Sequence, residues 1–396
     1  MIGKKGMLLR CLALTVLLGL LLAMSASAAP AVSVAEGKAK ALLLMETSGG
    51  TVLYAENERT PMEPASVTKV MTLLLAMEAL QEGRICMEDV FTVSAAAAAM
   101  GGSQVYMEAG EKFTLHELLK CIAVVSANDA CVVLAEALAG SEAAFVSRMN
   151  ERAAELGMTD TTFKNCTGLP AEGHLCSARD IAIMSRELLR HEKILEYTQI
   201  WMDSIRNGDF GLANTNKLLK NYAGITGLKT GSTDAAGFCI SASAERDGMP
   251  LVAVVLGSTT SAERFNAAAE LLDYGFANYA RVSLSCEIPE VRVDMGRTGF
   301  IRPAPAEMSD PVVEKSRAGR ITLQAETAEK VSAPVMAGQK LGELIWRDGE
   351  EVIAKVPLLS ETDVPRIGFA EILGKLLKRL YSVEKTVQTV WKVKNL

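Results

Sequence analysis

Ser66-Val67-Thr68-Lys69 sets a hydroxyl and an amine three residues apart at the head of a long apolar stretch. On a helix that spacing puts both side chains on one face, one turn apart and within hydrogen-bonding reach. A free serine is a weak nucleophile and needs a base; a desolvated lysine with a depressed pKa can serve as one. The head of a helix adds unpaired N–H groups and the positive end of a dipole, both suited to a developing oxyanion. Taken alone, the string is a weak signal, because most short matches are ordinary exposed helix turns. Two further strings share that weakness. Ser126-Ala127-Asn128 falls in a break between two predicted helices, where Asn128 or Asp129 would also serve as an N-cap. Lys229-Thr230-Gly231 stands just before a pair of strand-like runs, where a strand end and a turn explain the same residues.

Other chemistries find less support. The string G-x-S-x-G is absent, and His116-Glu117 is followed by Leu118, Leu119 and Lys120, so no H-E-x-x-H occurs. His116, His174 and His191 are the only histidines, none in a catalytic string, and each reads as a surface or capping residue. There is no C-x-x-C and no Cys/His cluster with metal spacing, so neither a metal nor a cofactor is implied.

The order of the three strings, S-x-x-K then S-x-N then K-T-G, is what gives them weight. With Gly101-Gly102-Ser103, Thr167-Gly168-Leu169 and Ala235-Ala236-Gly237-Phe238 between and after them, the chain resembles the low-molecular-mass penicillin-binding proteins. More narrowly it resembles the serine-type D-alanyl-D-alanine carboxypeptidases of peptidase family S11, strongly over about residues 38–281 and more loosely beyond. The resemblance implies that Ser66 is acylated by the penultimate D-Ala of a peptidoglycan stem peptide, releasing the terminal D-Ala. It makes Lys69 the base, Ser126 and Asn128 the opposite wall that passes protons and holds the substrate amide, and Lys229 and Thr230 the binders of the terminal carboxylate. Gly231 would let a substrate strand pair closely with this edge. The N–H groups of Ser66 and Ser232 would form the oxyanion hole, although many relatives carry a bulkier residue at 232. Arg264 would support carboxylate recognition. β-Lactams are implied as covalent inhibitors. A D-Ala cross-link endopeptidase is the nearest alternative. A class A β-lactamase would need a glutamate for deacylation, which Phe163-Lys164-Asn165-Cys166-Thr167-Gly168 does not offer. A non-catalytic muropeptide or β-lactam receptor would have no use for the Ser66/Lys69 pair.

These residues require a scaffold. Two apolar runs, residues 41–45 and 51–54, flank Gly49-Gly50 and predict a hairpin. Residues 64–80 predict a helix apolar around most of its circumference, hence buried mid-domain. Further helices are expected at 94–100, 115–125, 129–138, 142–156, 178–191 and 261–279, with strands at 237–244 and 251–257. A hairpin first, helices in the middle, then strands and a helix predict an α+β fold of the β-lactamase/transpeptidase type. Its antiparallel sheet is drawn from both ends of the domain and flanked by helices.

The rest of the chain bounds the setting. With 49% hydrophobic and 22% charged residues, a disordered body is excluded. The net charge of −6, with no basic block in the body, excludes nucleic acid as a partner. Lys4, Lys5 and Arg10, the apolar run from Cys11 to Met24, and Ala26-Ser27-Ala28 form a signal-peptide pattern over 1–28, and the same residues would also suit a retained anchor. Cleavage there would leave a mature chain with seven cysteines and net charge −9, its catalytic domain at 29–282, exported to the outer face of the membrane or the wall. Cys166 and Cys176 sit in one polar loop and are candidates to pair; Cys121 and Cys131 read as small buried apolar residues. Residues 283–365, with β-rich stretches at 290–294, 320–324, 330–335 and 351–357 and turns at Gly338 and Asp348-Gly349, predict a small all-β domain. In 366–396, apolar residues at helical spacing accompany Lys375, Lys378, Arg379, Lys385, Lys392 and Lys394. That is the pattern of a basic amphipathic helix lying on an anionic membrane surface, or else of a terminal helix packed on the protein.

Overall fold

The computed structural model describes residues 34–307, 310–374 and 376–377. The signal-like segment 1–28 and the tail beyond 377 therefore lie outside the described residues. Strands β1 (Ala41–Glu46) and β2 (Val52–Glu56) form the first hairpin, as the Gly-Gly turn predicts. Two small hairpins that the sequence did not reveal follow in the chain: β3 (Val90–Thr92) with β4 (Lys112–Thr114), and β5 (Met202–Ile205) with β6 (Phe210–Ala213). The long strands β7 (Ile225–Thr233), β8 (Gly237–Arg246) and β9 (Met249–Ser258) join the first hairpin in one antiparallel sheet ordered β2-β1-β9-β8-β7. Both ends of the domain thus build the sheet, and β7 is one of its edges.

The central strands are apolar at nearly every position because both faces of the sheet are covered. Ala41, Leu43 and Met45 of β1 and Val252, Val254 and Leu256 of β9 enter one core. Their sequence neighbours Leu42, Leu44, Leu251, Ala253 and Val255 enter the other. Side chains alternate across a strand, so a strand buried on both faces loses the polar half of its pattern.

The helical lobe covers the first face. Its centre is α1 (Lys69–Gln81), buried at ten of its thirteen residues. Around it lie α2 (Leu115–Val125), α3 (Asn128–Ala139), α4 (Glu142–Glu155) and α5 (Ala178–Leu189). The second face is covered by α6 (Ser261–Asn278), through Phe265, Ala267, Ala268, Leu271 and Leu272. Reciprocal capping boxes start α2 (Thr114 with Glu117) and α6 (Thr260 with Glu263), satisfying N–H groups that a helix start leaves unpaired. The α+β architecture is the one expected.

Three local expectations change. The predicted helix from Pro64 opens instead as a 3-10 turn, Ala65–Thr68, because Ala65 takes a positive φ of 48° that an α-helix does not admit. Lys229-Thr230-Gly231 lies within β7 rather than before the paired strands; β8 supplies the pairing that its mixed side chains conceal. Cys166 and Cys176 do not pair. Both are buried free thiols with separate partners, Glu142 for Cys166 and Thr161 for Cys176.

Beyond the catalytic lobe, short β-sheets contain the strands Val291–Asp294, Ile321–Thr327, Lys340–Asp348 and Glu351–Leu359, with Trp346 of the third buried among Ile321, Leu344 and Leu358. The third of these strands was not anticipated.

Candidate active site

The 3-10 turn and the head of α1 present Ser66 and Lys69 together. Ser66 is half-buried while its neighbours Pro64 to Val70 are buried, so its hydroxyl is the group the turn leaves accessible. Lys69 is fully buried, with its Nζ 2.8 Å from Ser66 Oγ and 2.6 Å from the carbonyl oxygen of Thr167. Burial lowers the Lys69 pKa, with the nearby Cys131, Cys166 and Asp129 opposing the fall. Lys69 Nζ donates to both oxygens; once deprotonated, the amine would keep an N–H for Thr167 and have a lone pair for the Ser66 proton. Gly168, at φ +84°, makes this approach possible: a Cβ there would lie 1.9 Å from the Ala65 oxygen.

The opposite wall comes from the break between α2 and α3. Ser126 ends α2 in the left-handed region, at φ 66°, a conformation that costs a non-glycine residue about 1–2 kcal/mol. That bend sets Ser126 and Asn128 on one edge. Asn128 Nδ2 donates to the Gly101 carbonyl at 2.7 Å, whereas Asn128 Oδ1 and Ser126 Oγ are buried with no hydrogen-bond partner. A buried polar atom left unpaired costs about 1–3 kcal/mol, so the pair is suited to receive a ligand's amide. Asp129 is no N-cap; buried, its Oδ2 accepts from Val105 N at 3.0 Å and Met107 N at 3.2 Å, fastening the 101–107 loop beside this wall.

The third wall is β7, an edge strand of the sheet. Lys229 is almost fully buried and donates to the Thr230 carbonyl at 2.9 Å. Its pKa is held well below the usual lysine range by burial and, next, by the charge of Lys69. Thr230 Oγ1 donates to Thr215 Oγ1 at 2.7 Å, and Ser232 is exposed. Gly231 lies against the serine turn: a Cβ would sit 2.7 Å from Ser66 N, 2.9 Å from Val67 N and 3.0 Å from the Pro64 oxygen. Arg264, on α6, approaches from behind. Its guanidinium donates to the carbonyls of Gly231 at 3.1 Å and Cys239 at 3.3 Å and lies over Phe265, so it acts on the edge through the β7 backbone.

The structure therefore brings Ser66, Lys69, Lys229, Thr230 and Gly231 together, with Ser126 and Asn128 on the break between α2 and α3, Ser232 exposed further along β7 and Arg264 behind that strand. Sequence reasoning assigned no role to the Thr167 carbonyl or Thr215, and offered Asp129 only as an N-cap. It also misjudged His174, which is buried rather than a surface or capping residue. A backbone carbonyl carries no residue signature, and nothing in a local string announces a buried imidazole.

A serine hydroxyl held against a buried lysine amine beneath a sheet edge is the arrangement that active-site serine acyl-transfer enzymes use. The family described as D-alanyl-D-alanine carboxypeptidase, peptidase family S11, matches residues 26–260, and the chain belongs to it. The C-terminal domain of penicillin-binding protein 5 matches residues 287–366. The D-alanyl-D-alanine carboxypeptidase DacF of Bacillus subtilis is 41% identical over 347 residues, covering 86% of this chain and 89% of the relative. Penicillin-binding protein 5 from Haemophilus influenzae superposes with a TM-score of 0.75 at 27% identity, over 85% of this chain and 100% of that one. Penicillin-binding protein D2 from Listeria monocytogenes, in its ampicillin-bound form, superposes at 0.56 with 30% identity, over 62% of this chain and 100% of that one.

Proposed function

We propose that this chain removes the terminal D-alanine from peptidoglycan pentapeptides through an acyl-enzyme on Ser66, and that β-lactams acylate the same hydroxyl. The observation that carries the reading is the fully buried Lys69 amine 2.8 Å from Ser66 Oγ. Ser66 Oγ attacks the carbonyl carbon of the penultimate D-Ala as its proton passes to neutral Lys69. The resulting oxyanion is taken by the N–H groups of Ser66 and Ser232. Collapse breaks the peptide C–N bond, and the leaving D-Ala amine takes a proton relayed from Lys69 by way of Ser126. Water then attacks the ester, restoring Ser66 and freeing the shortened peptide. Lys229 and Thr230 hold the carboxylate of the terminal D-Ala, while Asn128 Oδ1 accepts from a substrate amide.

Product analysis on purified pentapeptide and on cross-linked muropeptide tests the bond cut. Free D-Ala from the pentapeptide, with the cross-link intact, is the expected outcome; cleavage confined to the cross-link would make the enzyme an endopeptidase instead. Labelled penicillin should add a mass that maps to the peptide containing Ser66.

The reading extends to location: export directed by residues 1–28, and a tail from 366 lying on the anionic outer face of the membrane. Phe369, Leu373, Leu376 and Leu377 support it, because they are exposed apolar side chains at helical spacing and 369–374 is helical. A chain ending at Arg366 is expected to lose binding to anionic vesicles and to keep its penicillin adduct. Undiminished sedimentation with vesicles would rule out the tail as the anchor.

A further inference from the structure

His174 is remote from Lys69 in sequence, yet it bears on the turn that carries Lys69. It is 2% exposed, its Nε2 lies 2.8 Å from Thr68 Oγ1, and its Nδ1 accepts from Lys164 N at 3.1 Å. A backbone N–H only donates, so Nδ1 carries the lone pair, the proton sits on Nε2, and Nε2–H donates to Thr68. Burial pushes the imidazole down to about 4, with the neighbouring Lys164 charge acting in the same direction, so this neutral tautomer holds at neutral pH. Phe163 closes the other side, its ring edge-on to the imidazole.

The partners on either side give the bond its meaning. Thr68 is fully buried, ends the serine turn and immediately precedes Lys69. Lys164 belongs to the segment Phe163–Gly168, whose carbonyls hold α1 at two more points: Thr167 accepts from Lys69, and Cys166 accepts from Thr72 Oγ1 at 2.7 Å. Thr68 and Thr72 are four residues apart, on one helical stripe, and bracket Lys69. The segment is therefore fixed to the helix before and after the amine. His174 holds both the Thr68 hydroxyl and the start of the segment that supplies the Lys69 acceptor.

We infer that His174 is a positioning residue for acylation, fixing Lys69 against Ser66 through Thr68 and the 163–168 segment. It touches no reacting atom. The inference rests on Ser66 and Lys69 being nucleophile and base. Losing the imidazole leaves Thr68 without its donor and the Lys164 N–H without its acceptor, so the segment gains freedom and Lys69 loses its fixed geometry and part of its desolvation.

The experiment compares wild type with His174→Ala, His174→Gln and Thr68→Val, reading penicillin acylation rate, kcat and KM on the pentapeptide, the acylation pH profile and the thermal melt. For His174→Ala, acylation and kcat should fall about 10- to 100-fold, the cost of a sub-ångström to one-ångström misplacement of a catalytic group. KM should stay within about two-fold, since the carboxylate site on β7 is untouched. The rising limb of the pH profile should move to higher pH as Lys69 becomes better solvated. His174→Gln, whose amide can both donate and accept, should recover most of the rate. Thr68→Val keeps the side-chain shape, removes the hydroxyl and should reproduce the His174→Ala defect; it decides the matter if His174→Ala fails to fold. Wild-type acylation in Thr68→Val, or a rise in KM with kcat unchanged in His174→Ala, would overturn the inference. Absence of any penicillin adduct in wild type would overturn the Ser66 reading instead.

Discussion

Lys69→Met should reduce acylation of Ser66, by penicillin or by pentapeptide, about 10²- to 10⁴-fold, the usual contribution of a positioned general base. Ser66→Ala should abolish the adduct and D-Ala release altogether. Methionine fills much of the lysine stem's space, so the loss would report the amine rather than a cavity. Lys69→Arg should be as inactive as Lys69→Met, because a guanidinium stays protonated throughout the accessible pH range. The pH profile follows from the same burial. An ordinary lysine, near 10.4, would be almost wholly protonated at neutral pH and useless as a base. Burial lowers Lys69, so its base form grows as pH rises through that lowered value, giving the profile a rising limb. Lys229 must do the opposite, staying charged to hold a carboxylate, although burial and Lys69 both lower it. Burial lowers Lys229 further than it lowers Lys69, so its deprotonation gives a falling limb only once a bound carboxylate has raised it. The arriving carboxylate favours the charged form of Lys229, so the falling limb should belong to kcat rather than to kcat/KM. A falling limb at the same pH in both would remove Lys229 from carboxylate binding. A Lys69→Met enzyme acylating at the wild-type rate would remove Lys69 as the base.

How much of this was legible in the sequence differs from one element to another. The α+β order was readable because its signals are local: a Gly-Gly hairpin, an apolar run long enough for α1, and apolar repeats that change from helical to strand-like spacing. The three catalytic strings were readable because each places its functional residues within a few positions. What escaped depends on partners distant in sequence. β7 mixes Ile225 and Leu228 with Lys229, three threonines and two glycines, and becomes a strand only through its register with β8. Ala65 adopts a positive φ because the turn is pressed between Gly168 and Gly231, neither near it in the chain. The pairing of Cys166 with Cys176 was attractive on spacing alone. Spacing could not show that each thiol has its own partner, nor that burial drives the Cys166 thiol well above the ordinary range.

Gly231→Ala tests one of those long-range contacts. The added methyl would meet three backbone atoms of the serine turn: Ser66 N at 2.7 Å, Val67 N at 2.9 Å and the Pro64 oxygen at 3.0 Å. None is the end of a flexible side chain, so strand or turn must shift. The strand is held by its pairing with β8 and, through the Gly231 carbonyl, by Arg264. The turn is held by Gly168 and by the bonds from Thr68 and Lys69 to the 163–168 segment and His174. Either displacement changes the distance between the Ser66 amide and the β7 edge, where the oxyanion and the substrate backbone are to be received. Removing one oxyanion donor typically costs about 10²- to 10³-fold in rate, and Gly231→Ala should lose acylation on that scale. Overpacking of this kind costs about 1–3 kcal/mol of stability, so a folded but catalytically poor protein is expected. Gly211→Ala, where a Cβ meets nothing within 4 Å, should match wild type in both measurements. Wild-type acylation by Gly231→Ala would mean that strand and turn separate without cost, and that their close approach does not set the oxyanion site.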